Sequence, residues 1–164
     1  MRGARLMIFA VFLALGGCAG VQRASSTPNI YVMRHLHTPA GVGDPDLTSE
    51  GQRVALLLAK WFKRGKPTVI YVSSTKRAQQ TAAPLAQSLG VTPKLYNPAD
   101  TPALIAAVSG EAATVLVVGH SNTVPDIIAL LGGQRPASLV HEDFGDIWRM
   151  SGPTRVTERS KIAN

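Results

Sequence analysis

Three short segments of the chain combine arginine and histidine in ways that suit phosphoryl chemistry. Arg34 and His35 are adjacent in "IYVMRHLHT", Arg77 lies in "SSTKRAQQTA", and His120 lies in "VVGHSNT". If these groups meet in one crevice, they repel one another unless an anion binds between them. A phosphoryl group is a suitable anion, because guanidinium groups bind its oxygens in pairs and an unprotonated histidine can attack phosphorus.

Each of the three segments follows a run of residues typical of a buried strand, at 30–33, 68–72 and 114–118. Apolar strands that alternate with amphipathic helices predict an α/β fold, with a mostly parallel sheet covered by helices on both faces. The carboxyl ends of parallel strands lie along one edge of the sheet, where open α/β folds bind ligands. The sequence therefore predicts that two arginines and two histidines converge at that edge.

The remaining elements follow from capping residues and apolar spacing. Thr48 predicts a helix start, with Glu50 in the first turn and Gly65 and Pro67 beyond the end. The further predicted elements are a helix from Ala78 to Leu89 closed by Gly90, a short strand at 94–96, a helix from Pro102 to Val108 begun by Asp100 or Thr101, a helix from Val124 to Leu131, and one or two edge strands around 146–150 and 155–159.

In order and spacing, the three segments resemble the three signatures of the histidine phosphatase superfamily. "DPDLTSEGQ" resembles the segment before that family's first helix, so the likeness runs from about residue 30 to residue 133. The resemblance implies a three-layer α/β/α domain of the phosphoglycerate mutase-like kind, in a compact branch that includes phosphohistidine phosphatases. It further implies that His35 becomes a phosphohistidine and that Arg34, Arg77 and His120 bind phosphoryl oxygens. Ser121 is expected to bind phosphate too, although Ser121 or Asn122 could equally cap the following helix.

Two positions affect the catalytic activity that this resemblance implies. Leu36 stands after the nucleophile where the family commonly has glycine, and a leucine is costly there if the backbone needs a positive φ. Asp100, in "YNPAD", resembles the acid-bearing stretch of small relatives and is the predicted proton donor. An N-cap for the helix that follows is an equally good interpretation of Asp100. Glu142 and Asp143 are alternative donors.

The N-terminus has the pattern of an export signal. Arg2 and Arg5 precede an apolar run from Leu6 to Leu15, which is shorter than the roughly 20 residues that span a bilayer. "LGGC", ending at Cys18, resembles a bacterial lipobox, which implies cleavage and a lipid on the chain's single cysteine. We therefore predict a signal peptide at 1–18, a flexible tether at 19–29 and a catalytic domain at 30–164, with the protein exported to the periplasmic face of the outer membrane.

Charge and composition indicate which classes of partner the protein can bind. The formal net charge of +7 falls to +5 when Arg2 and Arg5 leave with the signal, which favours anionic small molecules or an anionic membrane surface. Aromatic residues make up 5% of the chain and are not interleaved with basic runs, so no nucleic-acid partner is predicted. The His35-Leu36-His37 spacing lacks the neighbours of a metal site, so neither metal nor cofactor is expected.

The sequence thus predicts an exported, lipid-tethered phosphatase that hydrolyses phosphomonoesters or phosphoramidates through a phosphohistidine on His35, without a metal. Its substrate would be a phosphorylated small molecule or an envelope component. The alternative is a phosphate-binding envelope lipoprotein of the same fold, in which Leu36 has abolished catalysis.

Overall fold

Six strands form one sheet in the computed structural model, which describes residues 27–41, 43–62 and 65–162. The elements in chain order are β1 (Ile30–Arg34), α1 (Ser49–Trp61), β2 (Val69–Ser73), α2 (Lys76–Leu89), β3 (Lys94–Tyr96), α3 (Thr101–Ser109), β4 (Val115–Gly119), α4 (Val124–Leu130), β5 (Asp146–Ser151) and β6 (Val156–Lys161). The strand order is β3-β2-β4-β1-β5-β6. The first four strands in that order are parallel, while β5 and β6 are antiparallel to their neighbours.

Helices cover both faces of this sheet, which confirms the predicted three-layer α/β/α architecture. Apolar side chains of α1 and α2, such as Leu58 and Leu85, pack with Met33 on one face. Side chains of α3 and α4, such as Leu104 and Ile127, form the core of the other face. The central strands are buried on both sides, and this explains their unbroken apolar runs.

The predicted elements are present, with differences at their ends. Thr48 caps α1 by accepting a hydrogen bond from the Gly51 N–H, as expected. The helix ends at Trp61, several residues before the predicted stop at Gly65. The last two strands are not both edge strands, because β5 lies between β1 and β6.

The predicted signal peptide, with Cys18, and most of the predicted tether lie outside the described residues. Within the described part of the chain, no helix is both long enough and apolar enough to cross a membrane.

Gly51 allows the start of α1 to lie against the chain just after β1. The Thr48 N–H donates to the His37 carbonyl oxygen at 2.9 Å, and a Cβ at Gly51 would overlap that same oxygen. We expect Gly51→Ala to lower the free energy of unfolding by about 1–3 kcal/mol, as overpacking typically does. Urea denaturation would measure this. Gly110→Ala is the matched control, because its new Cβ would lie 3.6 Å from its nearest neighbours, and a loss there as large as at Gly51 would contradict the packing argument.

Candidate active site

The carboxyl ends of β1, β4 and β2 bring the predicted residues together. The three strands are neighbours, with β4 in the middle. The His35 N–H donates to the Gly119 carbonyl oxygen at 2.9 Å, so strand pairing continues one residue past β1. As a result, the rings of His35 and His120 lie side by side, with centroids 5.4 Å apart.

His35 is buried and its tautomer is defined by one hydrogen bond. Its Nδ1 lies 2.8 Å from the Leu36 carbonyl oxygen. A carbonyl can only accept, so Nδ1 carries the proton and Nε2 carries the lone pair. Burial, with smaller contributions from Arg34, His120 and Arg77, lowers the pKa of His35 to about 3. At neutral pH the ring is therefore uncharged and has the lone pair that a nucleophile needs.

His120 has the opposite tautomer. Arg77 Nη2 lies 3.3 Å from His120 Nδ1, and since a guanidinium can only donate, Nδ1 accepts. Nε2 therefore holds the proton and donates to the Ser73 hydroxyl at 2.8 Å. Burial and the charge of Arg77 lower the pKa of His120 to about 4. The ring thus links the end of β2 to the arginine at the start of α2.

Arg34 is held by the loop before β5. Its Nη1 donates to the carbonyl oxygens of Val140 and His141, at 2.9 and 3.3 Å. The guanidinium carbon lies 4.0 Å from the centroid of the Phe144 ring, a favourable cation–π distance. Arg34 Nε is buried and has no partner among the described residues. A buried, unpaired cationic donor is costly, and a phosphoryl oxygen is the kind of acceptor that would satisfy it.

Leu36 causes no backbone strain. Within the described ranges, Arg155 is the non-glycine residue with a positive φ, and Leu36 is not. The Leu36 side chain is fully buried in the α1–α2 core, and its N–H donates to the Thr81 hydroxyl at 2.9 Å. Thr81 donates in turn to the Arg77 carbonyl oxygen at 2.8 Å. The backbone N–H of Leu36 therefore ties the loop after β1 to the helix of Arg77. The leucine side chain causes no strain that would argue against catalysis.

Asp100 and Ser121 are not joined to this cluster. Asp100 caps α3, where its Oδ1 accepts from the Ala103 N–H at 3.1 Å. Among the described residues, no hydrogen bond or ion pair links Asp100 to His35 or His120. Ser121 lies in a turn, and the N-cap position of α4 is taken by Thr123 rather than by Ser121 or Asn122. The catalytic role of Asp100 and the phosphate contact of Ser121 remain predictions.

The alternative proton donors lie on the rim. Glu142 is exposed and makes no hydrogen bond within the described ranges. Asp143 accepts from the Val140 N–H at 2.7 Å and pairs with Arg159 at 3.4 Å. Asp143 therefore shapes the loop that holds Arg34.

Acid should destabilise the fold through the two buried histidines. In the unfolded chain they take up protons near pH 6.5, whereas in the folded chain His35 and His120 stay neutral down to about pH 3 and 4. The unfolded state thus binds more protons as the pH falls, and folding free energy is lost by up to about 1.4 kcal/mol per pH unit for each ring. Urea unfolding at pH 7, 6 and 5 would measure this slope. His120→Gln should reduce the slope by one ring's share, and an equal slope in both proteins would contradict the assignment.

Comparison with known proteins agrees with this geometry. Residues 30–98 match the model of the histidine phosphatase superfamily (branch 1). Over these residues the chain resembles the histidine phosphatase superfamily. No curated protein matches the chain. The matched residues include β1, β2 and α2, so the superfamily model covers Arg34, His35 and Arg77.

Solved structures of several phosphatases share the fold. The protein histidine phosphatase SixA complexed with tungstate has a TM-score of 0.61 at 20% identity, covering 80% of this chain and 94% of its own. A phosphohistidine phosphatase SixA assigned in Agrobacterium tumefaciens has a TM-score of 0.59 at 18% identity, covering 82% and 98%. The mycobacterial glucosyl-3-phosphoglycerate phosphatase has a TM-score of 0.61 at 16% identity, covering 82% and 97%. At these identities the likeness establishes the fold.

Sequence reasoning missed four residues that contact the predicted site residues. Ser73 accepts from His120, Thr81 holds the loop after β1, Phe144 packs on Arg34, and Asp44 pairs with Arg77 at 2.9 Å. Ser73, Thr81 and Asp44 lie inside segments that already stood out, "SSTKRAQQTA" and "DPDLTSEGQ". Phe144 had no such signal, because it reaches the site through a loop distant in sequence.

Proposed function

We propose that this protein is a phosphatase that hydrolyses phosphomonoesters or phosphoramidates through a covalent phosphohistidine on His35. The match of residues 30–98 to the histidine phosphatase model and the phosphatases that share the fold support phosphatase activity. The covalent intermediate, the absence of a metal requirement and the location at the cell envelope are part of the proposal.

One observation carries the proposal, namely the hydrogen bond from His35 Nδ1 to the Leu36 carbonyl oxygen. It directs the proton to Nδ1, and burial keeps the ring uncharged. Nε2 has no hydrogen bond to any described residue, and it is not among the buried unpartnered atoms. A neutral imidazole with a free, accessible Nε2 is prepared to attack phosphorus.

The neighbouring cations would stabilise the transferring phosphoryl group. Arg34 is held by the Val140 carbonyl oxygen and Arg77 by His120 before any substrate arrives, so little reorganisation is needed during reaction. In the first step, Nε2 of His35 forms a bond to phosphorus as the bond to the leaving oxygen or nitrogen breaks. In the second step, water attacks the phosphohistidine and releases phosphate, and the His35 lone pair returns.

The same cations are the reason that we propose catalysis without a metal. Phosphoryl transfer needs positive charge against the phosphoryl oxygens, and Arg34, Arg77 and the N–H donors around them can supply it. Hydrolysis is therefore expected to persist in EDTA.

The substrate class follows from what the site can cleave. SixA is named a protein histidine phosphatase, and its mycobacterial neighbour is named a glucosyl-3-phosphoglycerate phosphatase. The first name points to a phosphoramidate and the second to a phosphomonoester. His35 can accept a phosphoryl group from either, so both classes belong in the first assay.

We also propose that the protein acts at the periplasmic face of the outer membrane, anchored by a lipid on Cys18. This part of the proposal depends on the "LGGC" segment and the basic, apolar stretch before it. Fractionation of cells expressing the Cys18→Ala variant tests it. The variant should leave the membrane fraction, and an unchanged distribution would contradict the anchor.

The function is tested by incubating the full chain, purified in mild detergent, with p-nitrophenyl phosphate and with phosphoramidate, with and without EDTA. EDTA-resistant release of phosphate is the expected result. A folded protein that binds phosphate but turns over neither compound would instead indicate the phosphate-binding lipoprotein.

A further inference from the structure

Asp44 is the carboxylate that the fold brings into contact with the cationic cluster. Its Oδ1 accepts from Arg77 Nη1 at 2.9 Å, and its Oδ2 accepts from the Lys76 backbone N–H at 3.1 Å. Within the described residues, no other carboxylate makes a hydrogen bond to Arg34, His35, Arg77 or His120. The Asp44 side chain is 42% exposed, whereas that of Arg77 is 18% exposed. Asp44 therefore lies at the solvent-exposed edge of the cluster formed by Arg34, His35, Arg77 and His120.

Most of the other candidate acids are engaged elsewhere, and Glu142 makes no hydrogen bond to the cluster within the described ranges. Asp100 is the N-cap of α3, and Asp143 accepts from the Val140 N–H and from Arg159 on β6. Asp46, two residues after Asp44, pairs with Lys76 and accepts from Gln80.

Resting on the proposed function, we propose that Asp44 is the proton donor to the leaving group and that substrate binding prepares it for this role. A phosphoryl dianion at Arg77 would take over the Nη1 donor that Asp44 now holds. Two negative groups side by side at one cation are unfavourable, so the displaced carboxylate takes up a proton. The charged and titratable groups near Asp44 are Arg77 and Lys76 on α2, the neutral ring of His120 after β4, and Asp46 on its own loop.

The proton balance of both steps is then complete. As Nε2 of His35 bonds to phosphorus, the P–O bond breaks and the leaving oxygen takes the proton of the Asp44 carboxyl group. The resulting carboxylate accepts a proton from the water that attacks the phosphohistidine. Phosphate leaves, His35 recovers its lone pair, and Asp44 is again protonated until the dianion departs and Arg77 re-forms the ion pair.

The test compares two substrates that differ in their need for an acid. p-Nitrophenolate leaves readily without a proton, whereas the alkoxide of benzyl phosphate does not. We expect Asp44→Asn, in the full chain, to lower kcat for benzyl phosphate by about 10²–10⁴-fold, the usual contribution of a general acid. The loss on p-nitrophenyl phosphate should stay below about tenfold, by the same argument. Asp46→Asn is the matched control on the same loop and should leave both rates near those of the parent.

Each other outcome decides against the proposal. Equal losses on both substrates would mean that Asp44 only positions Arg77. Equal gains would mean that its carboxylate competes with the phosphoryl group. A parent protein that hydrolyses p-nitrophenyl phosphate but not benzyl phosphate would have no working acid. A folded parent that hydrolyses neither would instead overturn the proposed function itself.

Discussion

Replacing His35 by alanine is expected to lower kcat for p-nitrophenyl phosphate by about 10⁴-fold or more, as the loss of a covalent nucleophile commonly does. The ring is buried, uncharged at neutral pH and fixed in one tautomer by the Leu36 carbonyl oxygen. His120 cannot replace it, because both of its nitrogens are engaged, one with Arg77 and one with Ser73. Steady-state hydrolysis by the parent and the variant measures the loss.

A second readout separates this chemical role from damage to the fold. The parent, mixed with substrate and denatured at once at alkaline pH, should gain the mass of one phosphoryl group on the peptide that contains His35. His141→Ala is the control, because its exposed ring makes an edge contact with Phe144 and the substitution keeps the backbone carbonyl oxygen that Arg34 uses. It should keep both the turnover and the mass gain. Turnover that survives in His35→Ala would refute the phosphohistidine mechanism.

Replacing Arg77 by lysine should lower kcat/KM for p-nitrophenyl phosphate by about 10²–10³-fold, even though the charge is kept. Arg77 uses two different nitrogens at once, Nη1 towards Asp44 and the Gly43 carbonyl oxygen and Nη2 towards His120. A single ammonium group cannot hold both sides in this geometry or present a paired set of donors to phosphoryl oxygens. Initial rates and the inhibition constant for inorganic phosphate should both report the loss.

Arg53→Lys is the matched control for this substitution. Arg53 also pairs through two nitrogens, with Glu50, but on the exposed surface of α1. Exposed ion pairs contribute at most about 1 kcal/mol, so this variant should keep its activity. A fall in activity as large as that of Arg77→Lys would mean that the arginine changes act through stability rather than through the site.

Much of the fold was predictable because the signals are local. Thr48, Gly90 and the apolar runs act on the residues beside them, and the structure has the caps and strands that they predict. Convergence of Arg34, His35, Arg77 and His120 also followed from one rule, since parallel strands end on the same side of a sheet.

The rest depended on contacts that no local pattern encodes. Arg34 donates to Val140 across 106 positions, and Arg77 bonds to Asp44 across 33. Such loop contacts are set by the geometry of the finished domain, so Phe144 and Asp44 could not be placed beforehand. At Leu36 the family pattern was misleading. The glycine common at this position suggested a strained backbone, but Leu36 does not have a positive φ.

The chain enters the sheet at the end opposite to the cationic cluster. Arg155 donates to the Pro28 carbonyl oxygen at 2.9 Å, beside the start of β1, while Arg34 ends the same strand about 13–16 Å further along. The residues that precede Pro28 therefore join the domain on the side away from Arg34. The approach to the cluster is thus separated from the attachment point by the length of a strand.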